Sequence, residues 1–349
     1  MFLLRDAQPT DLPGLTELAR ILNTMNLPHD KAALEDVLDR AARSFSGAIS
    51  EPREREYLFV AEDLATKRIV GTSLIIAQHG TKNAPHLYFE VIEDQRYSST
   101  LDKHFHHTML RLGRDFEGPT EIGGLILHPD FRGTARLGKQ LSYVRFLFIA
   151  MHKRWFRRRL LAELLPPLLP DGTSLLWEHL GRHFTGLPYT EADHISRKNK
   201  EFIVSLFPAG EMYATLLPQE VQDVIGRVGP QTKGVERMLS DVGFEFSHRI
   251  DPFDGGPHFE SEVANVSVIG ETKKRKLAIG GGGDRFTHLV ACEDKRTKFQ
   301  ALGCAADLSK PGEVAILEES IIALGASVGD EVFVMPLDPP PQEPQEEES

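Results

Sequence analysis

The segment Glu121-Ile-Gly-Gly-Leu-Ile-Leu127 constrains this chain more than any other. It is a short apolar run that reads as a buried strand, and His128-Pro129-Asp130 stops it. A glycine-containing turn follows at 132–136, and residues 137–154 then repeat Leu141, Val144, Phe148 and Met151 on one helical face. A strand that ends in a tight turn and reopens as a long helix frees successive backbone N–H groups and adds the positive end of a helix dipole. That combination suits a pyrophosphate. The chain is therefore expected to mix strands with helices and to carry an anion site near residue 132.

The flanking sequence supplies further elements. An opening strand leads into Thr10-Asp11-Leu12-Pro13, where Thr10 or Asp11 is expected to cap a helix with Leu15, Leu18 and Ile21 at helical spacing. Residues 31–45 read as a second amphipathic helix, and 56–62 with 68–77 as a strand hairpin. Residues 79–119 carry no clear period. Pro166-Pro167 breaks the helical pattern, and helical signals resume at 173–184, 218–227 and 234–242 before a strand-like run at 244–250. Lys273 to Lys276 with Gly280-Gly-Gly-Gly283 read as a linker, and 286–336 as short strand-like runs. Because 349 residues exceed what one core organises, the expectation is a first half at 1–165, a second half at 166–272, a small β subdomain at 273–337 and a disordered acidic tail at 338–349.

Composition excludes several classes. The net charge is −11, and residues 338–349 hold five acids and no base, so the remainder carries −6. Neither value fits a general nucleic-acid binder. Lys153-Arg-Trp-Phe-Arg157-Arg-Arg159 is better explained as cations at a helix end. Two cysteines, Cys292 and Cys304, cannot make a disulfide framework and match no zinc spacing, which points to the cytoplasm. No stretch has the length of a secretory h-region or a bilayer span. His104, His106 and His107 lie close in sequence, but only Asp102 stands near them as an acidic ligand. No metal is expected.

Arg5 with Thr10-Asp11-Leu12-Pro13, the hairpin Val60-Ala61-Glu62 with Val70-Gly71, and Leu125 to Gly133 occur in the order of the acyl-coenzyme A N-acyltransferase (GNAT) superfamily, which the chain resembles. The superfamily turn reads Arg/Gln-x-x-Gly-x-Gly. Here Arg132-Gly-Thr-Ala-Arg136-Leu-Gly138-Lys139-Gln-Leu141 is one residue longer, with Arg136 where the first motif glycine is expected. Trp177-Glu-His-Leu-Gly-Arg-His-Phe184, Glu191-Ala-Asp193, Val224-Ile-Gly-Arg-Val228, Gly243-Phe244 and Phe253-Asp-Gly-Gly-Pro257 with Glu260 resemble arginine N-succinyltransferases more narrowly.

That resemblance implies an α+β chain with tandem GNAT-like halves and a small C-terminal β subdomain. It implies transfer of a succinyl group from succinyl-CoA, or of another acyl-CoA's group, to the α-amine of arginine, and admits a homo- or hetero-oligomer with a paralogous subunit. No nucleic-acid or membrane partner is expected. Leu125, Arg132, Arg136, Gly138 and Lys139 become the acyl-CoA contacts. Glu121 is the candidate base on the amine. The family carries a proton-donor His just before the Pro of the segment matching Val224 to Pro230; this chain has Gly229, leaving His183 and His194 as candidate replacements. Asp193, Asp254 and Glu260 are the candidate partners of a guanidinium. The alternatives are a degenerate acyl-CoA-binding or scaffold protein that has lost turnover, and an acyltransferase for a different amine.

Overall fold

The computed structural model describes residues 1–22, 30–81, 84–196, 199–283, 285–294 and 298–338. It is of the expected α+β class and divides into two compact units, each discontinuous in sequence: 1–78 with 120–158 and 262–349, and 79–119 with 159–261.

In the first unit the strand order is Glu313–Ile316, Lys273–Ile279, Glu331–Pro336, His288–Asp294, Lys298–Cys304, Phe2–Asp6, Glu56–Asp63, Ile69–Ile76, Thr120–Leu127. Neighbours are antiparallel except Lys273–Ile279 and Glu313–Ile316, which run parallel. The helix Lys31–Phe45 matches its expected bounds because Asp30 caps it, its carboxylate accepting from the Ala33 N–H at 2.9 Å. The helix Leu12–Leu22 is entered differently from expectation. Asp11 does not cap it but takes both ends of the Arg5 guanidinium, at 2.7 and 2.8 Å, and the Gln8 N–H.

The helix Leu137–Met151 is buried along most of its length, and Phe148 meets Phe45, Tyr57, Phe59 and Phe299 ring to ring. Each such ring or leucine taken from water contributes roughly 1.5–3 kcal/mol. Gly71 permits this packing, since a Cβ there would come within 2.8 Å of Leu141 and 2.7 Å of the Ile126 carbonyl. The helix stops at Met151, short of the expected 154, because His152 leaves helical geometry.

The second unit orders its strands Arg159–Glu163, Pro257–Glu262, Glu245–Ile250, His86–Ser98, Lys103–Asp115, Met212–Tyr213. Its core gathers Trp177, Phe89, Leu110, Tyr189 and Phe253. The Trp177 ring stacks on Phe253 at 4.9 Å and its N–H donates to the Leu187 carbonyl at 2.9 Å.

Three expectations are corrected. The sequential cuts at 165 and 272 do not describe the units, because Phe89 and Glu90 pair with Ile250 and Arg249, which carries 79–119 away from its sequence neighbours. Residues 273–337 are not a separate subdomain. They have a core of their own, with Leu277, Val290 and Leu302, but Ala301 and Gln300 pair with Leu4 and Arg5 and extend the first sheet. Lys273 to Lys276 is strand rather than linker, each residue paired with one of Glu331 to Val334.

Candidate functional site

The strand Thr120–Leu127 carries a bulge. Its register against Ile69–Ile76 shifts between Thr72 and Leu74, Gly124 takes φ +57, and the Thr72 hydroxyl holds the Gly124 carbonyl at 3.1 Å. The buried Arg145 guanidinium braces the bulge from the following helix, donating to the Gly123 carbonyl at 3.0 Å and to the Ser142 carbonyl and hydroxyl at 2.9 Å. Burial lowers the Arg145 pKa to about 9, opposed by the charge of Glu121. Glu121 and Leu125 are both half-buried on this strand, four residues apart.

The loop after the strand turns through left-handed residues: Gly133 at φ +79, Ala135 at +50 and Arg136 at +57. Arg136 stands where the sequence motif expects glycine, and it holds the conformation for which glycine is the default. An L residue there costs about 1 kcal/mol or more. Its guanidinium is anchored, donating to the Phe286 carbonyl at 2.9 Å and to the Asp338 carboxylate at 2.8 Å. Lys139 Nζ reaches the same carboxylate at 3.1 Å, and Arg285 at 3.0 Å. Arg136 first, with Lys139, holds the Asp338 carboxyl well below the usual range. Asp338 was expected to open a solvated tail; it is instead ion-paired to three cations. Residues 339–349 lie outside the described residues. Arg132 is exposed, and a Cβ added at Gly138 would make only ordinary van der Waals contact, with Leu127 at 3.8 Å.

The remaining expected residues lie in the second unit. His183 and His194 are exposed, on the helices Arg182–Thr185 and Tyr189–Ser196. Asp254 closes a turn, accepting from the Gly256 N–H at 2.7 Å, and burial beside Asp251 raises its pKa well above the ordinary value. The charge of Asp193 adds to that shift. Glu260 already faces guanidinium groups, Arg159 at 3.5 Å and Arg249 at 3.6 Å. Gly229 is enclosed by backbone: a Cβ there would come within 2.6 Å of the Pro166 carbonyl and 2.9 Å of that of Leu165.

Sequence reasoning missed a cluster in the second unit, with His86 and His258 buried, His79 half-buried and Glu163 partly exposed. His79 Nδ1 and His86 Nδ1 lie 2.9 Å apart, His86 Nδ1 is 3.9 Å from Glu163 Oε1, and His258 Nε2 is 3.4 Å from the same oxygen. Asp251 is within reach of Glu163 and His258. Burial pushes His79 and His258 down to about 3 and His86 well below its ordinary value, so all three rings are neutral at pH 7. Only the spacing of His79 and His86 was visible in sequence, since Glu163 and His258 arrive on other strands. The histidines that sequence did group, His104, His106 and His107, lie along the strand Lys103–Asp115, the first two exposed.

Comparison with known proteins bears on these features. Residues 2–268 match the family model "Arginine N-succinyltransferase beta subunit". The arginine N-succinyltransferase subunit beta of Pseudomonas aeruginosa is 36% identical over 338 residues, covering 96% of this chain and 98% of that one. The arginine N-succinyltransferase of Yersinia pestis is 32% identical over 348 residues, covering 97% and 98%. Among solved structures, arginine/ornithine succinyltransferase subunit AI of Pseudomonas aeruginosa superimposes with a TM-score of 0.82 at 28% identity, over 97% of this chain and 99% of that one.

Proposed function

The chain belongs to the arginine N-succinyltransferase family, and on that premise we propose that it transfers the succinyl group of succinyl-CoA to the α-amine of arginine. The observation that carries this reading is the family match over residues 2–268, together with relatives of the same name aligned along nearly the whole chain. Coenzyme A is placed at the strand, loop and helix of residues 120–151. The loop N–H groups, the start of the helix Leu137–Met151, and Arg132, Arg136 and Lys139 receive the phosphates, while Leu125 lines the acyl end.

The reaction needs a neutral amine, a polarised thioester carbonyl and a proton for the leaving thiolate. Glu121 is assigned to deprotonate the amine, directly or through water. Holding amine and thioester together supplies much of the rate, up to ~7–11 kcal/mol in favourable systems. Loss of one general acid costs typically ~10²–10⁴-fold. Gly229 stands where the family pattern has its proton-donor His, which predicts a slow or altered enzyme. We place it in the cytoplasm, with its two cysteines buried, and the word "subunit" in its relatives' names supports an oligomer.

A second reading, binding of acyl-CoA without turnover, is favoured by one observation. Gly229 is so closely enclosed that the position holds no side chain without backbone movement. Thiol release separates the two, measured with succinyl-CoA and acetyl-CoA against arginine, ornithine, lysine and polyamines, beside calorimetric titration with coenzyme A. Arginine-dependent release from succinyl-CoA supports transfer. Binding of coenzyme A with no release from any pair supports the second reading.

A further inference from the structure

We propose that His79, His86 and Glu163 form a binding site for a late first-row divalent metal ion, with His258 orienting the carboxylate. Two imidazoles and a carboxylate are the donor set that zinc and its neighbours prefer, and three protein ligands leave a position for water. Ligands held ~2.0–2.1 Å from a tetrahedral ion stand about 3.3 Å apart. The observed separations, 2.9 Å between the two Nδ1 atoms and 3.9 Å from His86 Nδ1 to Glu163 Oε1, bracket that value, and all three donor atoms lie within 4.8 Å of one another.

The surroundings agree. His86 and His258 are 1% and 0% exposed, and their rings stack at 5.4 Å. His258 finds no hydrogen-bond partner for either ring nitrogen among the described residues. Its Nε2, 3.4 Å from the Glu163 oxygen, is placed to donate once that carboxylate is drawn onto an ion, as the outer partners of metal ligands commonly do. His86 opens a strand, Glu163 ends one and His258 sits on a third, so regular structure sets two of the three donors and the outer partner, while His79 comes from the loop before the first of these strands. Asp251 lies at the edge of the site, within reach of Glu163 and His258.

The test uses the full chain and needs no turnover, so its outcome is independent of the acyl-transfer reading. Protein purified without chelator is analysed for metal, then stripped, titrated with Zn²⁺ by calorimetry and followed with Co²⁺ in the visible range. The proposal expects close to one equivalent per chain, an intense Co²⁺ spectrum of low coordination number and a Zn²⁺-dependent rise in melting temperature. His86→Ala and Glu163→Gln should each weaken Zn²⁺ at least tenfold, with Glu163→Gln retaining the parent circular dichroism. His104→Ala should be unchanged. Failure of the stripped protein to take up Zn²⁺ or Co²⁺, or uptake that survives both His86→Ala and Glu163→Gln, overturns the site.

Discussion

Single residues decide how this chain departs from the pattern it otherwise follows. Asp338, 202 residues downstream of Arg136, occupies the cations assigned to the coenzyme phosphates, so a pyrophosphate must displace its carboxylate. Asp338→Asn is therefore expected to tighten coenzyme A binding about 2–5-fold at low ionic strength, the range of a partly exposed ion pair, with the gain shrinking in high salt. Calorimetry at two salt concentrations checks it, and unchanged affinity at low salt means the phosphates bind elsewhere. Gly229 makes a second case. Its N–H donates to the Leu165 carbonyl at 2.8 Å, and that carbonyl and its neighbour leave no room for a Cβ. Gly229→Ala should destabilise by about 1–3 kcal/mol as overpacking does, and Gly229→His should be no more stable and restore no rate. A Gly229→Ala protein that melts with the parent would show the turn to be slack. Arg136 and Lys139 could be assigned to the loop from sequence because loop and helix are local. It could not place Asp338 or His258, whose partners are set by pairing between distant strands.

At the scale of elements, local periodicity was legible and long-range pairing was not. The helix at 31–45 and the strands at 56–63 and 69–76 follow from alternation and capping within a few residues of each other. The strands His86–Ser98 and Lys103–Asp115 escaped because charged and partly exposed residues run through both. Their pairing with each other, and of Glu90 with Arg249, is what orders them. The bulge at Gly124 is equally invisible in sequence, yet it shapes the strand assigned to the acyl group. Arg145 holds that bulge by a fork of donors in two directions, which a lysine cannot reproduce. Arg145→Met should leave the Gly123 carbonyl unsatisfied, costing about 1–3 kcal/mol, and should weaken coenzyme A binding, with Arg145→Lys failing to restore it. Hydrogen exchange across residues 121–127 reads the local opening; protection equal to the parent would mean that the bulge stands without Arg145.

For the molecule as a whole, membership of the family was readable from motifs in order along the chain, whereas the division into units was not. Composition and length announce two cores, but the units interleave, each stitched from segments far apart in sequence. Removing residues 273–349 would take away the strand that pairs with Phe2–Asp6 and with it the Asp338 contacts. The truncated chain is expected to lose a cooperative melt, and a sharp transition near the parent's would restore the idea of a separable β subdomain. The central claim is succinyl transfer to arginine. It is tested most directly by incubating the purified chain with succinyl-CoA and arginine and identifying products by tandem mass spectrometry. The account predicts arginine succinylated on its α-amine, formed in step with free coenzyme A and absent when either substrate is omitted. Intact arginine and intact succinyl-CoA, from a folded protein that binds coenzyme A, would contradict it.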